Sequence, residues 1–153
     1  MIIAITGTPG TGKTTLAKKI ADYKGFTYVD VYDLIEEKGL CEEFDKDRDC
    51  MVVDVDKVVQ EIIKIKKEHP DLVIDSHLSH HIPKKYIDIL IVTKCDLKEL
   101  KKRLEKRGYS PTKVRENLDV EIFDICLQEA TQEQHKVIII NTNKKIKVES
   151  LGI

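Results

Sequence analysis

Beginning at residue seven, the chain carries a run whose residue types and spacing suit phosphate binding. The run reads Gly7-Thr8-Pro9-Gly10-Thr11-Gly12-Lys13-Thr14-Thr15 and fits the pattern G-x-x-x-x-G-K-[ST] at every fixed position. Its glycines let backbone N–H groups close around phosphate oxygens where a side chain would collide. Lys13 can reach the outer phosphates of a nucleoside triphosphate, and the Thr14 hydroxyl can ligate Mg²⁺. We therefore predict a phosphate-binding loop (P-loop).

A P-loop enzyme needs a second carboxylate to fix Mg²⁺, usually at the end of a neighbouring strand. The apolar segment Leu72-Val73-Ile74-Asp75 ends in such a group. We favour a metal role for Asp75, directly or through bound water, over a turn-capping aspartate. His77 follows two residues later, where an imidazole can orient a water or phosphate oxygen or relay a proton. A histidine packed at a strand end is the alternative.

His77, His80 and His81 together resemble a set of metal ligands. A structural zinc site normally needs four ligands, and no cysteine lies nearby in the sequence. We therefore do not predict a zinc site from this spacing.

Phosphoryl transfer also needs mobile positive charge for the oxygens of the transferred group. Arg103 and Arg107 lie one helical turn apart, just before the break Gly108-Tyr109-Ser110-Pro111. This break is a plausible hinge for a closing lid, in which Arg107, with Arg103, clamps the moving phosphoryl group. An ordinary solvated basic helix end is an equally good interpretation of the charge alone.

These residues need elements that position them. Apolar runs predict five strands, at Met1–Thr6, Phe26–Val29, Leu72–Asp75, Ile87–Thr93 and Lys136–Asn141. Helices are predicted between them, at Lys13–Tyr23, Val31–Lys38, Val55–Glu68, Leu97–Arg107 and Pro111–Glu133. The alternation is typical of a doubly wound α/β domain, a five-stranded parallel sheet with helices on both faces. Ligands of such sheets bind at the carboxyl edge.

Three details of the helices can also be predicted. Ser110 is expected to cap the last helix, with Pro111 at its first position. Asp96 and Glu99 are expected to form a capping box at the preceding helix. A buried stripe is expected along the last helix, at Val114, Leu118, Ile122 and Ile125.

Composition sets the remaining limits. The 153 residues suffice for one domain with a core, and we assign residues 1–153 to a single domain. A net charge of −1 gives no overall basic field toward nucleic acid, and no apolar run approaches the length of a membrane span. Four cysteines without metal-ligand or redox spacing suggest reduced thiols in a cytoplasmic protein.

Several segments together resemble the ribosome-associated adenylate kinase family, known in eukaryotes as adenylate kinase isoenzyme six. The resemblance covers about residues 1–133. It rests on the P-loop, Asp75-x-His77, Arg103-Leu104-Glu105-x-Arg107-Gly108-Tyr109, Glu116-Asn117, Glu121-Ile122-Phe123, Glu129-Ala130, Asp33-Leu34 and Asp54-x-Asp56.

The resemblance implies a small nucleoside-monophosphate kinase fold with a short lid. It also implies broad nucleotide-kinase and ATPase activity, with a role in late maturation of the small ribosomal subunit beside small-subunit ribosomal protein eleven. An acceptor-binding segment at about 30–53 and a lid at about 106–116 would follow. By position, ATP would be bound by Gly10, Gly12, Lys13, Thr14, Thr15 and Arg107.

The acceptor segment departs from the usual pattern of monophosphate kinases. These often place an arginine in its first helix, whereas Ile35-Glu36-Glu37 follows Asp33-Leu34 here. Residues 30–53 hold nine acidic and three basic side chains. Such a segment repels a free phosphate and attracts a basic protein tail.

Two functions remain open on this basis, and a third, a small-metabolite kinase on the same scaffold, rests only on analogy of fold. The first is Mg²⁺-dependent transfer of the ATP γ-phosphoryl to a nucleoside monophosphate such as AMP, with Lys13, His77, Arg103 and Arg107 as catalytic residues and Thr14 and Asp75 at the metal. The second is a nucleotide-gated ribosome assembly ATPase whose kinase activity is incidental. The sequence does not settle direct contact with RNA.

Overall fold

The computed structural model describes residues 1–47 and 50–153, and within these ranges the chain forms seven strands and six α-helices. The strands are β1 (Ile2–Gly7), β2 (Thr27–Asp30), β3 (Cys41–Asp45), β4 (Cys50–Val53), β5 (Leu72–Asp75), β6 (Ile89–Lys94) and β7 (Val137–Asn141). The helices are α1 (Lys13–Lys24), α2 (Val31–Lys38), α3 (Val55–Glu68), α4 (Leu97–Lys106), α5 (Pro111–Ile122) and α6 (Ile125–Gln132).

Five of the strands form one parallel sheet in the order β2-β5-β1-β6-β7. All five predicted strands are confirmed, with boundaries within two residues of the predicted ones. The order places β5 directly beside β1, in the register Ile5↔Asp75. Asp75 therefore comes to the same sheet edge as the P-loop, which begins at the end of β1.

Helices cover both faces of this sheet, as predicted. Alternate residues of the central strands point to opposite sides, because successive side chains of a strand alternate. Ile3 and Ile5 pack with Leu16 and Ile20 of α1 on one face. The other face packs against α2, α3 and α6, through residues that include Ala4, Ile74, Leu90, Leu34, Ile62 and Ala130.

The predicted long helix Pro111–Glu133 is wrong, because the chain breaks between α5 and α6. Asp124 adopts a left-handed conformation with φ 52°. Aspartate tolerates this conformation better than most residues. Lys94 at the end of β6 fixes the break, since its ammonium donates to the Glu121 carbonyl at 3.2 Å and pairs with the Asp124 carboxylate.

The break also overturns part of the predicted buried stripe. Val114 is buried as expected, but Ile122 is 48% exposed at the end of α5. Ile125 begins α6 and lines a cavity instead of continuing the stripe. Hydrophobic spacing alone thus fails to locate the helix end.

The two predicted helix starts differ in outcome. Ser110 caps α5 as predicted, accepting the Lys113 amide at 3.2 Å, and Pro111 occupies the first position. Asp96 stands at the start of α4, yet among the described residues its carboxylate accepts no hydrogen bond from the first turn. Glu99 pairs instead with Arg103 at 3.0 Å, one turn along the helix, so the predicted capping box is wrong.

A β-hairpin that the sequence analysis does not predict lies within residues 30–53. Strands β3 and β4 pair antiparallel, with Phe44 opposite Met51. The register shifts between Cys41 and Glu43, which interrupts the regular pairing of the two strands. Such an irregularity weakens the alternation of apolar and polar residues from which a strand is predicted. Arg48 and Asp49, counted in the charge of this segment, lie outside the described residues.

Candidate active site

The P-loop connects the end of β1 to the start of α1. Gly10 has φ 90°, and a Cβ there would lie 3.0 Å from Leu100 Cδ1. Gly12 has φ 83° at the residue before α1. These left-handed conformations are readily adopted only by glycine, so both predicted glycines shape the turn that presents the helix N-terminus to the cavity.

The ammonium of Lys13 folds back onto the loop. It donates to the carbonyl of Gly7 at 2.9 Å and to that of Thr8 at 3.3 Å. Removal from solvent lowers the pKa of Lys13 to about 8, and the nearby Asp75 carboxylate opposes this shift. The ammonium of Lys13 therefore lies against the carbonyls of its own loop, at the place where an anionic ligand would meet it.

Thr14 and Asp75 meet at the sheet edge. The Thr14 hydroxyl donates to Asp75 Oδ2 at 2.6 Å, and Asp75 is 4% exposed. The Tyr28 hydroxyl, from β2, donates to the same oxygen at 3.0 Å. Burial and the neighbouring Asp75 carboxylate raise the pKa of Tyr28, so its proton stays in place. The sequence analysis did not predict this role for Tyr28. A prediction that β2 lies beside β5 would have indicated it.

This donor set fits Mg²⁺. Hydroxyl and carboxylate oxygens are the hard ligands that the ion prefers, and it normally keeps several waters and binds through few protein groups. Thr14 and Asp75 offer one oxygen each, and these two oxygens lie 2.6 Å apart beside the cavity.

His77 follows β5 and lines the cavity with an exposed side chain. Partial desolvation and the adjacent Lys13 ammonium lower its pKa below the ordinary histidine value. The lowered pKa favours the neutral imidazole, which can accept a hydrogen bond beside the P-loop.

The structure separates the two arginines that were predicted to clamp the phosphoryl group. Arg107 caps the end of α4 and lines the cavity, as the lid interpretation requires. Arg103 points elsewhere: its guanidinium donates to the Gly10 carbonyl at 3.4 Å and to the Thr142 carbonyl at 3.2 Å. Arg103 therefore braces the P-loop against the segment after β7, an arrangement that does not support its predicted contact with the moving phosphoryl group.

One cavity of about 650 Å³ joins these groups. The P-loop and Asp75 line it. It is also lined by Arg107, Tyr109 and Lys113 of the predicted lid, by the nearby Asn117, and by Tyr32, Ile35, Met51 and Val53 of the predicted acceptor segment. Thr15 also lines it. The predicted triphosphate, acceptor and lid regions therefore face a single space.

A further residue that sequence reasoning missed is Glu121 on α5. Its carboxylate is buried and accepts the Thr8 hydroxyl at 2.7 Å and the Cys95 amide at 3.2 Å. The Lys94 ammonium lies 2.8 Å from it. The sequence does contain a signal for this role, because Glu121 lies between the apolar residues Val120 and Ile122 in a predicted helix. An acid in such a position is often buried and paired with a cation.

Within residues 1–47 and 50–153, none of the helices combines the length and apolar character that crossing a bilayer demands.

Comparisons with known proteins agree with this geometry. A family model described as "AAA domain" matches residues 3–124. A Methanocaldococcus jannaschii protein named "Putative adenylate kinase" is 38% identical over 151 residues, covering 99% of this chain and 84% of the relative. A Caenorhabditis elegans protein named "Adenylate kinase isoenzyme 6 homolog" is 35% identical over 138 residues, covering 90% and 76%.

Among solved structures, shikimate kinase from Acinetobacter baumannii in complex with shikimate superposes with a TM-score of 0.59 at 17% identity, covering 94% of this chain and 84% of that one. This likeness shows the fold, that of a P-loop kinase. The sequence relatives show more, and the chain belongs to the family of P-loop proteins that includes the adenylate kinase isoenzyme 6 homologs.

Proposed function

We propose that this protein transfers the γ-phosphoryl group of ATP to a nucleoside monophosphate, with AMP as the first candidate. The observation that carries the proposal is the shared cavity, which brings the P-loop, the lid residue Arg107 and the acceptor segment to one space. The names of the family members support the same reaction for this chain.

The reaction needs alignment and charge neutralisation more than covalent chemistry. A phosphate oxygen of the acceptor attacks the γ-phosphorus, the bond to the β–γ bridging oxygen breaks, and ADP leaves with that electron pair. Lys13 would release its loop carbonyls to grip the β- and γ-phosphates, while Arg107 neutralises the transferred group. The attacking oxygen is already anionic, so the step requires no general base.

ATP would lie along Gly10, Gly12, Lys13, Thr14 and Thr15, with Arg107 reaching it from the lid. Thr14 and Asp75 would hold Mg²⁺, which supplies charge neutralisation at the phosphates when bound. Tyr28 keeps Asp75 oriented toward Thr14. Closure of the lid over the cavity would also exclude water and suppress wasteful hydrolysis.

The acceptor side has a surface suited to a flat base. Tyr32, Ile35, Met51 and Val53 provide aromatic and aliphatic groups along this wall. Apolar walls with a few polar groups are typical of nucleotide pockets. The acidic side chains of residues 30–53 repel the acceptor phosphate. Lys13 and Arg107 would therefore have to hold that phosphate.

The test is ADP formation from ATP and Mg²⁺, with and without AMP. We expect fast ADP production only when AMP is present, and Lys13→Ala should abolish it. If ADP forms at the same slow rate with and without AMP, the protein only hydrolyses ATP. That result would exclude nucleoside-monophosphate kinase as the main activity.

A second function is supported by the exposed acidic hairpin. Glu42, Glu43 and Asp47 lie at its surface, beside Phe44, which is 50% exposed. An acidic surface with an aromatic group favours a basic peptide. We propose that the protein also acts as a nucleotide-gated ATPase in late small-subunit maturation, docking ribosomal protein eleven or the pre-ribosomal small subunit through this hairpin.

Charge reversal tests this docking. A variant that combines Glu42→Lys, Glu43→Lys, Asp45→Lys and Asp47→Lys should lose binding to the ribosomal protein. A matched control reverses four exposed acids elsewhere on the surface, Glu68, Glu105, Glu133 and Glu149, and should bind normally. Equal binding by both variants and the wild type would refute the docking surface.

We also propose that the protein acts in the cytoplasm. Cys41, Cys95 and Cys126 are free thiols, as expected in a reducing compartment. Fractionation of cells with an antibody to the chain tests this assignment, and recovery with the secreted fraction would contradict it.

A further inference from the structure

Three potential metal ligands that are distant in sequence meet at one wall of the cavity. His80 and His81 belong to the short turn after β5, and Glu129 comes from α6. Their candidate ligand atoms, one from each side chain, all lie within 4.8 Å of one another. All three residues also line the cavity that faces the P-loop.

His80 is held in place for such a role. It is 3% exposed, and its Nδ1 lies 2.7 Å from the Thr6 hydroxyl at the end of β1. A hydrogen bond at one imidazole nitrogen fixes the ring and aims the other nitrogen, as is usual for histidine ligands of metals. In His80 that other nitrogen is Nε2, which points toward Glu129.

The contact between His80 and Glu129 is close but is not a well-formed hydrogen bond. The distance from Nε2 to Glu129 Oε2 is 2.7 Å, yet Nε2 is a buried atom whose geometry satisfies no hydrogen bond among the described residues. Buried polar atoms normally have a partner, and an absent ion is one explanation when they do not. The pair brings an imidazole nitrogen and a carboxylate oxygen, two ligand types of transition metals, into one small cluster.

We propose that His80, His81 and Glu129 form a binding site for a divalent transition metal, Zn²⁺ in the first instance. Two imidazoles and one carboxylate match the ligands that zinc uses when it keeps a coordination position open. The open position would face the cavity. The site is separate in chemistry from Thr14 and Asp75, whose oxygen ligands suit Mg²⁺.

The required adjustment is small. With bonds of about 2 Å, ligand atoms around tetrahedral zinc lie roughly 3.3 Å apart. His81 is exposed, so its ring can turn without disturbing the core.

The sequence pattern alone pointed away from a metal, because it offered neither four ligands nor a cysteine. The fold supplies the missing information by bringing Glu129 from α6 against the turn. His77 lines the same cavity. Cys126 lies one turn before Glu129 and lines the same cavity. Its thiol could also bind zinc, so the experiment must distinguish binding by Cys126 from binding by the proposed cluster.

The experiment is calorimetric titration of Zn²⁺ into chelator-treated, nucleotide-free protein with excess Mg²⁺. The variants are Glu129→Gln and His81→Gln, which change side chains that are not fully buried, with His69→Gln as the control for an exposed histidine far from the cluster. Cys126→Ser tests the thiol. Thermal denaturation of each protein verifies folding and reports stabilisation by zinc.

We expect the wild type to bind one Zn²⁺ per chain. Glu129→Gln and His81→Gln should each weaken binding by at least about tenfold and lose the thermal stabilisation, since even indirect partners of a metal cost 10- to 100-fold. His69→Gln and Cys126→Ser should behave as the wild type. Unchanged affinity in both cluster variants, loss only in Cys126→Ser, or no binding by the wild type would each overturn the site.

Discussion

The Thr8 hydroxyl in the P-loop donates a hydrogen bond of 2.7 Å to the buried Glu121 carboxylate on α5. This contact joins the loop that would hold phosphate to α5. The other oxygen of Glu121 accepts the Cys95 amide, next to the end of β6. Glu121 thus connects the P-loop, the sheet edge and α5 through one side chain.

Replacing Glu121 should therefore destabilise the protein. Glu121→Ala leaves the Thr8 hydroxyl and the Cys95 amide without their acceptor, which should lower the free energy of unfolding by about 2 kcal/mol. Urea denaturation followed by circular dichroism measures the change. Asp119→Ala is the matched control, since its pairing with Arg115 at 3.2 Å is exposed and should change stability by less than about 0.5 kcal/mol. Equal effects of both variants would contradict this role of Glu121.

Arg103 and Arg107 should differ in their effects. Arg107→Ala should reduce kcat by about 10³-fold with little change in ATP affinity, because in the proposed mechanism Arg107 neutralises the transferred group. Arg103→Ala should mainly weaken ATP binding, because Arg103 braces the carbonyl of Gly10. Steady-state kinetics and ATP titration separate these outcomes. Lys106→Ala is the control for loss of a nearby exposed charge, and a similar loss of kcat in this variant would refute a specific role for Arg107.

Tyr28 should govern the use of magnesium. Tyr28→Phe removes a hydrogen bond to Asp75, so we expect the Mg²⁺ concentration for half-maximal rate to rise roughly fivefold, equivalent to about 1 kcal/mol. The measurement is initial rate against Mg²⁺ at saturating nucleotide. Tyr23→Phe, which alters an exposed tyrosine on α1, should leave the curve in place. An unshifted curve for Tyr28→Phe would show that Asp75 needs no such support.

The rate at which the Cys126 thiol is alkylated should show whether a nucleotide occupies the cavity. It lines the cavity, and burial raises its pKa, so alkylation by iodoacetamide should be slow near neutral pH and accelerate above the ordinary thiol range. Bound ATP should slow it further. Cys41, an exposed thiol on β3, serves as the control and should react at the same rate with and without ATP. Mass spectrometry of each labelled peptide gives both rates, and lack of protection at Cys126 would argue against nucleotide in this cavity.

The sequence allowed much of the fold to be predicted because local signals were strong. Continuous apolar runs located all five strands of the parallel sheet, and glycines at fixed spacing located the P-loop. The prediction that Asp75 lies at the same sheet edge as the P-loop is confirmed. It could be made because neighbouring parallel strands share a carboxyl edge.

What failed depended on contacts between distant residues. The end of α5 is set by Lys94, which lies 27 residues before Glu121 and leaves no trace in local periodicity. Glu99 could not be assigned correctly because its partner is Arg103 and not a helix amide. The roles of Tyr28 and Glu121 likewise follow from the packing of β2 and α5 against the sheet edge, which a single sequence does not reveal.

The most direct test of the central claim is calorimetric titration of ATP into the folded protein, with Mg²⁺ and with EDTA. Binding of ATP at one site per chain, stronger with Mg²⁺ and lost in Lys13→Ala, is the result that a magnesium-assisted P-loop predicts. Absence of binding by correctly folded wild-type protein, or equal affinity in Lys13→Ala, would contradict it.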